Sequence, residues 1–416
     1  MKILIKNANI FNGEDNKIYN NQDILIEDNR ISKISNNIEE NSADKIIDAT
    51  GKTVMPGMID AHIHIMLYQQ ADKPITYEAV RASVLLKQVL SRGFTTIRDV
   101  GGEVSGIARA LNEGIIDGPR MYYSGKVLSQ TGGHGDMRQP RDINTLYYAP
   151  DYSDCSGSII ADGVDAVRRA ARVNFTKGAS FVKIMASGGC KSPLDSIYCD
   201  QFSMDELRAA VEVAESYHTY AAAHAYTPGS ITRCIESGVR SIEHGNFLDK
   251  ATANLMAEKK AYLVPTLIAY NLPYNEPMEN KFLVPYAGAE TISKLCKKGL
   301  EAIINAREAG VKIGFGTDIV KEDSVFDKNT SFSEQCNEFL LRSEIETPYE
   351  TLHSATAVNA EILNMKNELG VIKEGAIADL LVIDGNPLED ITLVTEQGKN
   401  FSAIIQNGNI IKNDLQ

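Results

Sequence analysis

Apolar and polar side chains alternate at both ends of the chain. The opening run, Met1-Lys-Ile-Leu-Ile-Lys-Asn-Ala-Asn-Ile-Phe, has the two-residue period of a half-buried strand. The pattern predicts strands at Ile3–Ile10, Asp23–Glu27, Arg30–Ile34 and Lys45–Asp48, joined by Asn-Gly and Asp-Asn turns that suit hairpins. It returns in Ala378-Asp-Leu-Leu-Val-Ile-Asp384-Gly and in Phe401-Ser-Ala-Ile-Ile-Gln-Asn-Gly-Asn-Ile-Ile-Lys. Neither end has enough strands to bury a core alone. Residues 1–57 and 366–416 are therefore expected to build one small β-sandwich domain together.

Between them, residues 58–365 switch to strand followed by amphipathic helix, repeatedly. Eight strands are predicted: Ile59–Ile65, Phe94–Val100, Arg120–Ser129, Ser180–Met185, Tyr220–Ala225, Ser241–His244, Tyr262–Leu267 and Lys312–Thr317. Helices are expected over Tyr77–Ser91, Val164–Lys177, Ser203–Tyr217 and Glu290–Ala309. The alternation predicts an α/β fold, a (β/α)8 TIM-type barrel whose site forms at the C-terminal ends of its strands. A doubly wound open sheet is the rival, but no Gly-x-Gly-x-x-Gly follows the first strand. A long loop, Gln130 to Gly163, carries Tyr147, Tyr148 and Tyr152 and is placed to cover substrate.

Composition narrows the function classes. With 416 residues, 43% hydrophobic and 23% charged, the chain is an ordinary globular protein. A net charge of -13 argues against nucleic acid or anionic membrane as partner. No run approaches the ~18 apolar residues of a membrane span. The cysteines at 155, 190, 199, 234, 296 and 336 are scattered without a Cys-x-x-Cys, which makes a cytoplasmic protein with reduced thiols the expectation.

The chemistry lies at the ends of the predicted strands. His62 and His64 are alternate residues, so both imidazoles share one strand face. Lys183, His224, His244 and Asp318 each end a later strand-like run. One histidine at a strand end is more often a core residue than a ligand. Four of them with an Asp and a Lys, in barrel order, point to two divalent ions that activate water.

Met55-Pro-Gly-Met-Ile-Asp60-Ala-His62-Ile-His64, Ile242-Glu-His244-Gly245 and Gly316-Thr-Asp318 resemble the amidohydrolase superfamily. Gly370-Val-Ile-Lys-Glu-Gly375-Ala-Ile-Ala-Asp379-Leu-Leu-Val resembles the segment that returns such chains to their small β domain. Thr131-Gly-Gly-His134-Gly-Asp136, Val182-Lys183-Ile-Met-Ala-Ser-Gly188-Gly189 and His224-Ala-Tyr226-Thr look most like the prolidase-type Xaa-Pro dipeptidase and arginine/lysine carboxypeptidase group. The resemblance implies that His62, His64 and Asp318 bind one ion, His224 and His244 a second, and Lys183 bridges them as its carbamate. A protonated lysine has no acceptor, so only the carbamate formed with carbon dioxide can serve. Zinc is the expected metal. The implied reaction is attack by a metal-bridged hydroxide on the amide of a dipeptide or N-acyl amino acid. Asp318 moves the proton to the leaving nitrogen and His134 reaches the scissile carbonyl. Tyr226 is expected at the substrate carboxylate, with Arg233 as a charged partner. A homo-oligomer is implied as well.

His218 and His353 carry bland readings, a helix-end interaction and a structural role. Glu243 adjoins a ligand but points to the opposite strand face, where support is its expected task. The alternative enzymes are a cyclic-amide or imidazolone-ring hydrolase and a deaminase; imidazolone-ring and deaminase members resemble a one-metal pattern without the bridging lysine. A silent scaffold is a third reading, against which the intact cluster argues.

Overall fold

Strand pairing joins the two ends of the chain. The computed structural model describes residues 1–67, 74–138, 157–190, 192, 195–271, 289–320 and 334–415. One eight-stranded sheet runs Asn409–Asn413, Phe401–Gln406, Leu380–Ile383, Thr53–Pro56, Lys2–Phe11, Ile18–Glu27 and Arg30–Ser35, with Lys45–Asp48 paired to Lys2–Phe11. Ile3, Ile5, Ile24, Ile26, Val54, Leu380, Val382 and Ile405 form its core, the alternate positions that the sequence pattern marked as apolar. The outer strand also meets the segment before Leu380: Ile31 N donates to Ala376 O at 2.9 Å and Gly375 N to Ile31 O at 2.8 Å.

The middle of the chain supplies two sheets whose strands all pair in parallel. Their principal strands are β1 (Met58–His64), β2 (Phe94–Asp99), β3 (Arg120–Tyr123), β4 (Val182–Met185), β5 (Ala221–Ala225), β6 (Ser241–His244), β7 (Tyr262–Val264) and β8 (Lys312–Ile313). One sheet is ordered Ile319–Val320, β1, β2, β3; the other Ser158–Ile160, Val127–Ser129, then β4 through β8. Backbone hydrogen bonds cross between the sheets on both sides. Ala61 N donates to Phe315 O (2.9 Å), Thr317 N to His62 O (3.0 Å), and Ser180 N to Tyr123 O (2.7 Å). Asn359 adds a buried side-chain clamp, donating to Ile59 O (2.7 Å) and Phe315 O (2.8 Å).

Helices follow the strands: α1 (Ile75–Ser91), α2 (Ser105–Asn112), α3 (Val164–Thr176), α4 (Met204–Ser216), α5 (Pro228–Glu236), α6 (Lys250–Glu258) and α7 (Ala289–Ala309). Their starts are chemically marked. Ser203 caps α4 in a reciprocal box with Glu206, and Thr227 caps α5 with Pro228 just inside. The result is an α/β fold built on parallel sheets buried on both faces.

One expected element divides. The run Arg120–Ser129 is two strands in different sheets, broken at Ser124-Gly125-Lys126. Gly125 sits at φ 70, and a Cβ there would come 2.9 Å from Asn174 Oδ1, so the chain turns where only glycine fits. β5 is mostly alanine, a weak strand former, yet it lies in the middle of its sheet. Its Ala222 pairs in register with Lys183, which like Arg98 is fully buried. Tyr147, Tyr148 and Tyr152 lie outside the described residues. Among the described residues no helix is long and apolar enough to cross a membrane.

Candidate active site

β1 delivers His62 and His64 to one face, their ring centroids 5.4 Å apart. Asp318, just beyond β8, meets both: its Oδ1 lies 3.4 Å from His62 Nε2 and 3.2 Å from His64 Nε2. One ligand atom from each of the three falls within 4.8 Å of the others. Asp318 is held there by its own N–H, which donates to His62 O at 2.7 Å, and by a left-handed backbone with φ 52. His244 at the end of β6 is likewise left-handed at φ 73, in a tight turn closed by Gly245 N on Glu243 O (3.1 Å). Such conformations are costly for residues with a Cβ. Both fall on candidate ligands.

Register brings the second group beside the first. Met185 pairs with His224 and Ala225 with His244 across β4, β5 and β6. The His244 ring lies 4.9 Å from His62 and 4.6 Å from His224 between centroids. Lys183 is buried among them. Burial lowers its pKa to about 8, and Arg98 pushes the same way against the pull of Glu243 and Asp318.

The imidazoles are poised as neutral ligands. Burial drives His62, His224 and His244 below the usual histidine range, with nearby Lys183 adding to each. Their second nitrogens are occupied. His64 Nδ1 donates to Gly101 O (3.0 Å) and His224 Nε2 to Gly188 O (3.2 Å), and carbonyls can only accept. His62 Nδ1 donates to Glu243 Oε2 (2.7 Å), while His244 Nδ1 meets Thr266 Oγ1 (2.8 Å) and Tyr270 Oη (3.1 Å). The Nε2 lone pairs of His62 and His64 therefore face the Asp318 carboxylate. Lone pairs and an anion converging at this range repel one another unless a cation lies among them. The donor set fits a divalent metal.

Support beneath this cluster comes from residues that periodicity did not single out. Arg98 on β2 donates through Nη2 to Glu243 Oε1 (2.8 Å) and Oε2 (2.9 Å), and Ser241 Oγ donates to Oε1 (2.6 Å). Burial would raise the Glu243 carboxyl, but Arg98, His62 and Lys183 outweigh it and hold the group well below the carboxylate range. Asp60 receives N–H groups of His62 (3.1 Å) and Thr317 (3.2 Å), tying β1 to the Asp318 turn. The available signal was a charged side chain inside an apolar strand, Phe94-Thr-Thr-Ile-Arg-Asp, which burial obliges to find a partner.

The mouth residues divide. His134 stacks on His224, ring centroids 4.3 Å apart at 19°. Tyr226 stacks on His244 at 5.3 Å and 13°, and its hydroxyl lies 2.6 Å from Tyr270 Oη. Burial raises both phenols well above their ordinary range, so both stay protonated. Arg233 is not brought into the cluster. It sits on α5 and its guanidinium donates to the Phe202 carbonyl, which ties that helix to the loop before α4. His353 lies remote, with Nδ1 donating to Gly13 O at 2.7 Å. His218 follows α4 with a left-handed φ of 58.

Parallel strands ending in a histidine–aspartate cluster define the class: an α/β protein with a site suited to a divalent metal. The amidohydrolase family model matches residues 53–411, and the chain belongs to that family. It is a hydrolase acting on C–N bonds. An ochratoxinase from Aspergillus niger is 30% identical over 431 residues, covering 99% of this chain and 87% of that protein. A prolidase solved in complex with N-methylphosphonate-L-proline is 40% identical with a TM-score of 0.92, over 99% of this chain and 100% of the other. A Xaa-Pro dipeptidase with methionine bound in its active site is 30% identical with a TM-score of 0.84, again over 99% and 100%.

Proposed function

We propose that this chain is a two-metal amidohydrolase that releases the C-terminal amino acid from dipeptides or N-acyl amino acids. In this reading the parallel strands close into a (β/α)8 barrel over residues 58–365, and the chain ends form a β-sandwich domain from 1–57 and 366–416. The hydrogen bonds across both sides of the two parallel sheets support the closure. The convergence of His62 and His64 lone pairs on Asp318, beside buried Lys183, carries the functional reading.

His62, His64 and Asp318 would hold one ion, His224 and His244 the other, and Lys183, as its carbamate, would join the two positions. When bound, divalent ions such as zinc supply Lewis acidity to water and to the scissile carbonyl. Asp318 accepts a proton from the attacking water and passes it to the leaving nitrogen. The water oxygen ends in the new carboxylate, the C–N bond breaks, and the amine leaves protonated. His134 contacts the carbonyl oxygen of the scissile bond.

Hydroxyl accounting favours Tyr226 as the carboxylate contact. With His244 a ligand through Nε2, its Nδ1 carries a hydrogen and can only donate. That hydrogen faces Thr266 Oγ1 (2.8 Å) and Tyr270 Oη (3.1 Å), and Tyr270 Oη lies 2.6 Å from Tyr226 Oη, where either phenol can donate. With Tyr270 as the donor of that pair, the Tyr226 hydrogen is left to a further acceptor, the role a substrate carboxylate would fill. The prolidase with a proline-based ligand and the Xaa-Pro dipeptidase favour a substrate ending in a free carboxylate.

Metal-loaded protein incubated with a library of dipeptides and N-acyl amino acids tests the reading. Release of a free amino acid is expected. Ammonia without amino acid would move the assignment to a deaminase, and inertness towards the whole library would reject it.

A further inference from the structure

Asp195 is a buried carboxylate to which the hydrolytic scheme assigns no task. Its side chain is 2% exposed, and among the described residues no lysine or arginine pairs with it. Three donors converge on it instead: Gly189 N (3.0 Å) and Gln201 Nε2 (2.9 Å) on Oδ2, and the Ser192 hydroxyl on Oδ1. The histidine nearest to it is His134, whose Nδ1 lies 3.7 Å from Oδ2 and 2.8 Å from Ser192 Oγ. Gln201 completes the arrangement, since its Oε1 accepts the His134 backbone N–H at 3.0 Å.

The proton order in this chain is determined. A serine hydroxyl has one hydrogen, and the carboxylate claims it. Ser192 Oγ therefore accepts from His134 Nδ1, which sets the tautomer and the rotation of the ring. Packing restricts the remaining freedom. The ring stacks on His224 on one side, and Gly189 approaches so closely that a Cβ there would stand 2.0 Å from His134 Cε1. Gly189 in Ser187-Gly188-Gly189 thus has a steric reason: a larger residue there would evict the imidazole.

We propose that Ser192 and Asp195 are positioning residues for His134. Asp195 orients Ser192, Ser192 orients the imidazole, and Gln201 fixes the backbone that carries it. The proposal rests on the reading of His134 as the residue that contacts the scissile carbonyl. A carboxylate that only closed its own loop would need the bonds to Gly189 and Gln201, with no connection to an imidazole in the mouth.

The test is a set of coupled variants in metal-loaded protein: Ser192→Ala, Asp195→Asn, His134→Gln, and each of the first two combined with the third. We expect Ser192→Ala to lower kcat about ten-fold and Asp195→Asn on the order of 10- to 100-fold, as loss of a neutral or a charge-assisted hydrogen bond does. KM is expected to stay within about two-fold, because the interaction matters most in the transition state. Metal content is expected to be unchanged. In the His134→Gln background neither substitution should lower kcat further. If Ser192→Ala slows the His134→Gln enzyme as much as it slows the parent, or slows neither, the relay is overturned and the role of His134 stands. If His134→Gln itself turns over like the parent, the reading of His134 is overturned and the relay with it. Should Asp195→Asn fail to fold, the Ser192→Ala pair reads the same coupling.

Discussion

His62 Nδ1 lies 2.7 Å from Glu243 Oε2, and through that contact one candidate metal position rests on a buried ion pair. Glu243 fixes the hydrogen of His62 on Nδ1 and aims Nε2 at the site, while Arg98 neutralises the carboxylate from beneath. Replacing Glu243 by Gln is expected to weaken binding of one of two ions by about 10- to 100-fold, measured by chelator competition. Unchanged affinity for both ions would remove Glu243 from the metal site. Arg98→Met leaves the same carboxylate buried without its partner and is expected to cost roughly 3–5 kcal/mol in denaturant unfolding.

Lys183 connects burial to chemistry. Only its neutral amine reacts with carbon dioxide, and burial brings its pKa to about 8. The neutral fraction therefore grows as pH rises through that value. Metal-free protein given a divalent metal at a fixed concentration of dissolved carbon dioxide is expected to regain activity faster at pH 9 than at pH 7, with the midpoint near 8. Two tightly bound ions per chain in a Lys183→Ala variant, counted by elemental analysis, would end the bridging role.

Asp318→Asn separates metal binding from proton transfer. The amide oxygen remains a donor but cannot take the proton. Metal content is expected to persist while kcat falls on the order of 1,000-fold or more. Near-parental turnover would reassign the base.

Tyr226→Phe removes the hydroxyl and keeps the ring that stacks on His244. For substrates with a free carboxylate, KM is expected to rise about ten-fold, the worth of one hydrogen bond. A carboxamide analogue should be affected less. Equal effects on both would place Tyr226 in packing alone.

Glu338 offers a pH test away from the cluster. It is buried with Oε2 accepting from Ile268 N at 2.8 Å, and burial raises its pKa to about 8 despite Arg342. The native state thus favours the protonated acid. The stability this contributes is present below the ordinary glutamate range and is lost as pH rises through about 8. Glu338→Gln, always neutral, should gain on the parent between pH 5 and pH 9 in urea midpoints. A difference independent of pH would refute this.

Much of this was legible in the residues. Helix bounds at Val164–Thr176 and Met204–Ser216 lie within a residue of those expected, because caps and periodicity are local signals. His64 and His244 end their strands and His224 stands one residue from the end of its own, as local patterning suggested, whereas Lys183 lies inside β4 as the second of its residues and Asp318 follows β8. The split of Arg120–Ser129 was hidden, since a strand run does not reveal which sheet each half will join.

By itself, then, the sequence determined the alternation of elements, the order of the donors and the family motifs they carry. Tertiary structure alone decided who supports whom. Arg98 and Glu243 stand 145 positions apart, and the Ser192–Asp195 pair reaches His134 from another loop. A buried charge must find a counter-charge or hydrogen bonds, but that requirement does not name the partner. Left-handed His244 and Asp318, and the tight approach of Gly189 to an imidazole, likewise arise only when distant strands and loops meet.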